Sequence, residues 1–308
     1  MFHYWSLDSV YLTGSWLTIG SFDGVHLGHQ MLVREMVEGA HAAGKPAVVL
    51  TFYPHPSEVL GKRKVPGYLT APEIRAALLH KLGVDYVVTH PFNLQVAATE
   101  AQDFMRWVHQ HLQLEKLWVG YDFALGKDRK GNPETLKQIG SELGYEVEVI
   151  SARQAAGEII SSSRIRAALA AGDALLAAEL LGRPYSFEGR VIHGDGRGKT
   201  IGVPTANLDI WSGQVLPKPG VYACHVKVGG QTWGAVTNVG YRPTFDNQPA
   251  TPRVEAHLLD FNSEIYGQQV EIAFLRFLRS EQRFASVEAL VEQIQADIQL
   301  GRALLQQS

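Results

Sequence analysis

The sequence predicts an α/β plus β chain: a Rossmann-like parallel α/β domain over residues 1–182, then a small antiparallel β-barrel with a C-terminal helix over 183–308. Three observations predict it. The 308 residues exceed the roughly 100–200 of a usual single domain. Short apolar runs alternate with amphipathic segments as far as Ser151, a rhythm of strand and crossover helix. After Gly182-Arg183-Pro184 breaks that rhythm, strand follows strand.

In the first part, Leu17–Phe22, Ala47–Phe52, Asp85–Thr89, Lys116–Gly120 and Glu146–Ile150 read as buried strands. His29–Ala43, Ala71–Leu82, Glu100–Leu112 and Glu134–Leu143 carry helical spacing between them. The third shows it plainly, with Phe104, Trp107, Val108 and Leu112 at i, i+3, i+4 and i+8. Two short helical segments, Ser163–Ala171 and Ala174–Leu181, lead to the break at Gly182. Beyond it, Ser186–His193, Gly220–Val228, Thr232–Val239, Arg253–Asp260 and Gln269–Phe277 read as five strands, with Gly229-Gly230-Gln231 as a hairpin turn. A closing helix puts Val287, Leu290, Val291, Ile294 and Ile298 on one face. In an open parallel sheet ligands bind at the carboxyl ends of the strands, so motifs there carry the most weight.

Composition narrows the class. Hydrophobic residues make up 45% and charged residues 19%, which excludes a disordered chain. Net charge is −3, and neither part is basic (16 basic and 19 acidic residues up to Gly182, 12 and 12 after it), so no broad nucleic-acid footprint is expected. The single cysteine, Cys224, removes intramolecular disulfides and cysteine-based zinc cages. The N-terminal residues do not form a signal peptide, and no run approaches the roughly 18 apolar residues of a membrane span. A soluble, cytoplasmic protein is the expectation.

Chemistry concentrates in two places. The stretch Gly20-Ser21-Phe22-Asp23-Gly24-Val25-His26-Leu27-Gly28-His29 joins the first strand to the first helix. Its glycines let backbone amides approach a ligand, the helix N-terminus attracts phosphate, and two imidazoles three residues apart can donate to phosphoryl oxygens. A zinc pair would need histidines at i, i+4 with a glutamate between them, which is not the spacing here. Ser161-Ser162-Ser163-Arg164-Ile165-Arg166 opens a helix; its hydroxyls suit capping, and the Arg166 fork suits phosphate. Thr51-Phe52-Tyr53-Pro54-His55-Pro56 and Gly120-Tyr121-Asp122-Phe123-Ala124-Leu125-Gly126 fall at strand ends, as pocket walls or as plain turns.

The second place runs from Gly194 through Gly196, Gly198, Lys199 and Thr200 to Pro204-Thr205-Ala206-Asn207. A Walker A loop would need glycine at position 193, which is histidine, and a helix after it. What survives is a glycine-rich loop able to fold over phosphates, with Thr205 and Asn207 offering neutral oxygens to a hard cation. Downstream, Val254-Glu255-Ala256-His257-Leu258 alternates as a strand and carries a carboxylate among apolar neighbours. Facing the loop, Glu255 would serve as a general base; facing water, it would do nothing.

At these residues the chain resembles the prokaryotic bifunctional riboflavin kinase/FAD synthetase family. Gly20 to Gln30 resembles the H-x-G-H nucleotidyltransferase signature, and Ser161 to Arg166 the family's S-S-T-x-I-R element. Gly194 to Asn207 resembles the flavokinase phosphate loop. Pro219 to Ala223, Asn238 to Phe245 and Glu255 to Gly267 match as well. The resemblance implies two reactions using ATP with Mg²⁺. In the C-terminal part riboflavin becomes FMN, with Glu255 as base, Thr205 and Asn207 on the magnesium–nucleotide, and Gly194, Gly196, Gly198 and Lys199 around its phosphates. In the N-terminal part FMN becomes FAD with release of pyrophosphate. There His26, His29 and Arg166 are catalytic, and Gly20, Ser21, Phe22, Asp23, Gly24, Asp122, Ser162 and Ser163 bind nucleotide. ATP, riboflavin and FMN are the only partners implied. This sequence departs from the pattern at Tyr53, where aspartate is common, at Ala124 and Leu125, where arginine and phenylalanine are common, and at Ser163, which keeps the hydroxyl of threonine. Two other functions stay open at this point: a nucleotidyltransferase with a different phosphorylated acceptor, and a flavin- or nucleotide-binding regulator without turnover.

Overall fold

A computed structural model describes residues 2–61, 67–151, 154–155, 158–194, 198, 201–242 and 251–306. The chain divides into two compact units, Met1–Ser162 and Ser163–Ser308.

The first unit is built on a six-stranded parallel sheet of β1 (Phe2–Tyr4), β2 (Ser15–Ile19), β3 (Ala47–Tyr53), β4 (Tyr86–Pro91), β5 (Leu114–Gly120) and β6 (Glu146–Ile150), in the order β1-β4-β3-β2-β5-β6. Helices α1 (Leu27–Ala42), α2 (Pro56–Val59), α3 (Pro72–Lys81), α4 (Leu94–Ala98), α5 (Ala101–Leu112) and α6 (Pro133–Leu143) make the connections. Strand periodicity sorts the core onto two faces. Leu17, Ile19, Val48 and Leu50 pack with Phe104, Met105, Val108 and Leu112 of α5. The intervening Val49, with Val87, packs with Val33, Met36 and Val37 of α1 and with Ala76 and Leu79 of α3. Both faces are thereby covered, as a parallel sheet requires.

Two features of this unit differ from the sequence expectation. Strand β2 ends at Ile19 rather than Phe22, because Phe22 takes a left-handed backbone (φ 46°) that no strand tolerates. The sheet also gains β1, which pairs in parallel with β4 through Phe2–Tyr86, His3–Val87 and Tyr4–Val88. Three residues at an exposed edge carry too little periodicity to be seen in sequence. A two-stranded hairpin, β7 (Gln154–Ala155) with β8 (Glu158–Ile159), completes the unit.

The second unit begins with α7 (Ser162–Ala171, in the unit from Ser163) and α8 (Ala174–Leu181). Its body is a closed barrel of β9 (Tyr185–Ile192), β10 (Ala206–Ile210), β11 (Gly220–Val228), β12 (Gln231–Arg242), β13 (Thr251–Leu258) and β14 (Gln269–Arg279), in the order β10-β13-β12-β11-β14-β9. Every pairing is antiparallel. Tyr185, Phe187, Tyr222 and Phe274 fill the interior in edge-on and tilted pairs. The β11–β12 turn is two residues, Gly229 and Gly230, both at positive φ (58° and 82°), with Val228 opposite Gln231. That geometry matches the twist of the flanking strands and favours glycine at both positions.

Five strands were expected and six are found. The additional one, β10, reads Ala-Asn-Leu-Asp-Ile, of which only Leu208 is buried. Without it the barrel would not close, and Asn207 would have no fixed place. Helix α9 (Val287–Leu305) lies against the barrel through Ile298, which packs with Val203, Val221 and Val236. Gly301 permits the approach, since a Cβ there would stand 2.8 Å from a Val236 methyl.

Candidate functional site

In the first unit the loop after β2 is held in a strained shape. Phe22 (φ 46°) and Val25 (φ 42°) both take left-handed backbone, flanking Gly24 (φ 82°). For a β-branched residue such as Val25 this conformation costs on the order of 1–3 kcal/mol, and it persists only where the surroundings fix it. The fixing groups are visible. The buried Asp23 carboxylate accepts from the Leu69 amide (3.0 Å) and the Thr70 amide (3.1 Å), and the Gly24 amide donates to Thr70 Oγ1 (3.1 Å). Arg75, fully buried, donates to the Ser21 carbonyl (2.8 Å) and to Thr51 Oγ1 (3.0 Å). Gln30 closes the loop by donating to the Val25 carbonyl (2.9 Å). The Asp23 carboxylate is therefore committed to bracing the loop.

His26 caps α1. Its Nδ1 accepts from the His29 amide (3.3 Å), so a neutral His26 carries its proton on Nε2. The two imidazoles stack with centroids 3.6 Å apart and planes 17° from parallel, and Phe22 packs edge-on against His29. Burial above all, then the neighbouring His26 and the Arg75 guanidinium, hold His29 well below the usual imidazole range. His29 thus stays neutral at neutral pH, and both rings stand at a helix N-terminus that already favours anions. His29 Nδ1 is buried without a hydrogen-bond partner among the described residues, capacity that the protein itself leaves unused.

The depressed His29 pKa has a consequence for stability. Unfolded, the imidazole takes up its proton near pH 6.5, whereas the folded one resists until well below. The unfolded chain then binds more protons, so stability is lost as pH falls through about 6.5. His3 and His90, lowered chiefly by burial, act in the same sense. Thermal melting of the first unit is expected to drop from about pH 7.5 to about 5.5, and His29→Gln to drop less. An equal drop in the variant would contradict the assignment.

Ser162 Oγ donates to the Asp23 carbonyl (2.9 Å), which joins the serine motif to the histidine loop. Ser163 and Arg166 follow on α7 in the second unit, Ser163 exposed and Arg166 half-buried. Asp122 is exposed just past β5, and its carbonyl accepts from Arg129 (3.3 Å). Tyr53, at the end of β3, lies against Tyr68 with ring centroids 5.6 Å apart. Gly20 follows β2 and donates its amide to the Leu50 carbonyl (3.1 Å).

The second unit contains a cavity of about 400 Å³. Gly194, Gly198, Thr205, Asn207, Asn238 and Glu255 are among its polar lining residues, and Val221, Val236, Ile294 and Ile298 among its apolar ones. Strand register explains the polar set. Glu255 on β13 stands opposite Asn207 on β10 and opposite Asn238 on β12, a single rung whose side chains share one face. Glu255 Oε1 accepts from Arg253 at 2.5 Å, and Oε2 has no hydrogen-bond partner among the described residues. A Cβ on Gly194 would overlap the Asn207 amide, and one on Gly198 would stand 3.2 Å from Thr205 Oγ1, so the glycines form a cradle against these two residues. Gly196 and Lys199 lie outside the described residues.

Several contributors were not identified from sequence. Thr70 and Arg75 act through long-range bonds that leave no local signal. Asn238 lies in a motif that was noted without a role. Arg253 was legible as an opposite charge two residues from Glu255, hence on the same strand face.

Both arrangements are suited to holding phosphates and offsetting charge at a reacting phosphorus, which places the chain among transferases of phosphorus-containing groups. A family model described as FAD synthetase matches residues 9–164, and one described as riboflavin kinase matches residues 181–305. The chain belongs to the bifunctional riboflavin kinase/FMN adenylyltransferase family. The enzyme of that name from Listeria monocytogenes is 40% identical over 288 residues, 93% of this chain and 91% of the relative. The one from Bacillus subtilis is 39% identical over 287 residues, 92% and 90% respectively. A Streptococcus pneumoniae crystal structure called a macrolide-efflux protein superposes with a TM-score of 0.89 at 32% identity, covering 98% of both chains. Among the described residues no helix is long and apolar enough to cross a membrane.

Proposed function

We propose that the barrel unit phosphorylates riboflavin to FMN and that the parallel-sheet unit adenylylates FMN to FAD, each using ATP, with the functional modules spanning 1–182 and 183–308. The observation that carries the first half is the rung Asn207–Glu255–Asn238 in the lining of a cavity that also has apolar walls. The apolar lining suits a flat aromatic ring, and Glu255 offers a carboxylate to a hydroxyl in the same cavity. The riboflavin 5′-oxygen bonds to the γ-phosphorus, the bond to the departing ADP oxygen breaks, and Glu255 Oε2 takes the hydroxyl proton. Thr205 and Asn207, within the glycine cradle, would hold Mg²⁺ together with the nucleotide phosphates, and the ion would offset the charge of the triphosphate. That division of ligands suits a metal that shares its coordination with substrate, and the described residues contain no cluster of three His, Cys, Asp or Glu side chains.

In the first unit an FMN phosphate oxygen bonds to the ATP α-phosphorus and pyrophosphate leaves. His26 and His29 donate to the developing charge, while the Gly20–Gly24 backbone, Asp122 and Ser162 position the phosphates. No proton needs to leave a phosphate nucleophile, so hydrogen-bond donors suffice and no general base is required. The reducing cytoplasm suits a chain whose one cysteine, Cys224, is free and buried.

The position of an isotopic label separates the two transfers. ATP labelled at the γ-phosphate is expected to label FMN, and ATP labelled at the α-phosphate to label only FAD. Label from α-phosphate in FMN, or a failure of FMN to act as acceptor, would contradict the proposal and direct attention to another phosphorylated acceptor.

A further inference from the structure

Arg253 and Glu255 are two residues apart on β13, so their side chains leave the same face of the strand. The guanidinium donates to Glu255 Oε1 at 2.5 Å, and both residues line the cavity that Gly194, Gly198, Thr205 and Asn207 enter. Among the described residues, the other cationic or imidazole groups that line it, Arg279 and His257, are committed elsewhere. Arg279 is held in a fork by the buried Asp297 (Nε to Oδ1 2.9 Å, Nη2 to Oδ2 2.7 Å), and His257 Nδ1 bonds the Pro204 carbonyl (2.8 Å). Arg253 is different. Its sole partner among the described residues is the carboxylate proposed as base, and its side chain is 35% exposed. A partly exposed pair of this kind is readily exchanged, whereas a triphosphate offers oxygens that match the guanidinium fork and outweighs one carboxylate in charge.

We propose that Arg253 works in two positions: it holds Glu255 before ATP binds, then moves to the nucleotide phosphates, freeing the carboxylate and placing a cation on the moving phosphoryl group. The inference rests on the reading of Glu255 as base. The bonds made and broken are those of the kinase step already described. Arg253 contributes hydrogen bonds and charge and exchanges no proton. The coupling ties release of the base to the presence of its co-substrate, so the riboflavin hydroxyl meets a free carboxylate only when the phosphoryl donor is bound.

The full-length chain carrying Arg253→Met or Arg253→Lys tests this, with FMN formation measured while ATP and riboflavin are varied separately. Loss of one transition-state donor lowers kcat by about 10²-fold in Arg253→Met, with a raised KM for ATP and a riboflavin KM within about twofold of wild type. Arg253→Lys restores part of both losses, because charge is kept and the fork is not. Unchanged kcat and ATP KM in Arg253→Met would overturn the inference, and so would a rise in kcat, which would make the pair only a brake. Should Arg253→Met lose its cooperative melting transition, Arg253→Lys decides alone: a fall in kcat of at least about fivefold at unchanged riboflavin KM supports the inference, and wild-type kinetics overturns it. Glu255→Gln, run beside them, keeps the two readings apart. If it makes FMN at the wild-type rate, the base assignment fails; if it is inactive while both Arg253 variants match wild type, this inference alone fails.

Discussion

Replacing Glu255 by glutamine is expected to abolish FMN formation from riboflavin while leaving the conversion of supplied FMN to FAD intact. The substitution keeps the size of the side chain and its place between Asn207 and Asn238 in the barrel rung. It removes the proton acceptor, and general-base catalysis typically supplies about 10²–10⁴ in rate. It also removes the charge that Arg253 contacts, a partly exposed pair worth about 0–1 kcal/mol, so the barrel should melt close to the wild-type temperature. Chromatographic separation of flavins after incubation with riboflavin and ATP, then with FMN and ATP, checks both arms. Equal loss of the two activities would contradict independent sites.

His29→Ala should do the reverse. Adenylylation of FMN is expected to fall by about 10²–10³, the usual cost of one transition-state donor, with FMN formation unchanged. The imidazole lost is one of a stacked pair 3.6 Å apart, so His26 would also lose the ring against which it lies. The loop should survive, because the hydrogen bonds of Asp23, Arg75 and Gln30 that brace it remain, although Phe22 loses its edge-on contact with the imidazole. An unchanged adenylylation rate would remove His29 from the mechanism.

Most of the fold was legible because its determinants are local. Strand and helix periods differ, and in the first unit the alternation of Val48, Val49 and Leu50 between two cores is the same alternation that the sequence displays. Where the determinant was distant, sequence gave less. Strand β1 exists only through its pairing with β4, and β10 only through pairings with β9 and β13. The candidate site divides along the same line. The histidine loop and the Pro204–Asn207 segment could be picked out, since glycine spacing and helix capping are written in consecutive residues. Which group faces which could not. The Asp23 carboxylate accepts from the Leu69 and Thr70 amides, residues far along the chain that no local pattern connects to it. The juxtaposition of Asn207 and Asn238 on either side of Glu255 depends on a three-strand register that no local pattern encodes.

Balanced charge over both parts of the chain excludes a polyanionic partner but not a small phosphate. A braced loop, a stacked imidazole pair and a glycine cradle suffice for that, each concentrating a few donors where charge develops. The central claim is that one chain carries two phosphorus-transfer sites that work in succession. Incubation of the purified full-length protein with riboflavin as the sole flavin, ATP and Mg²⁺, sampled over time and separated chromatographically, tests it most directly. The prediction is that FMN rises first and FAD follows at the expense of FMN; a chain that forms neither product contradicts the account.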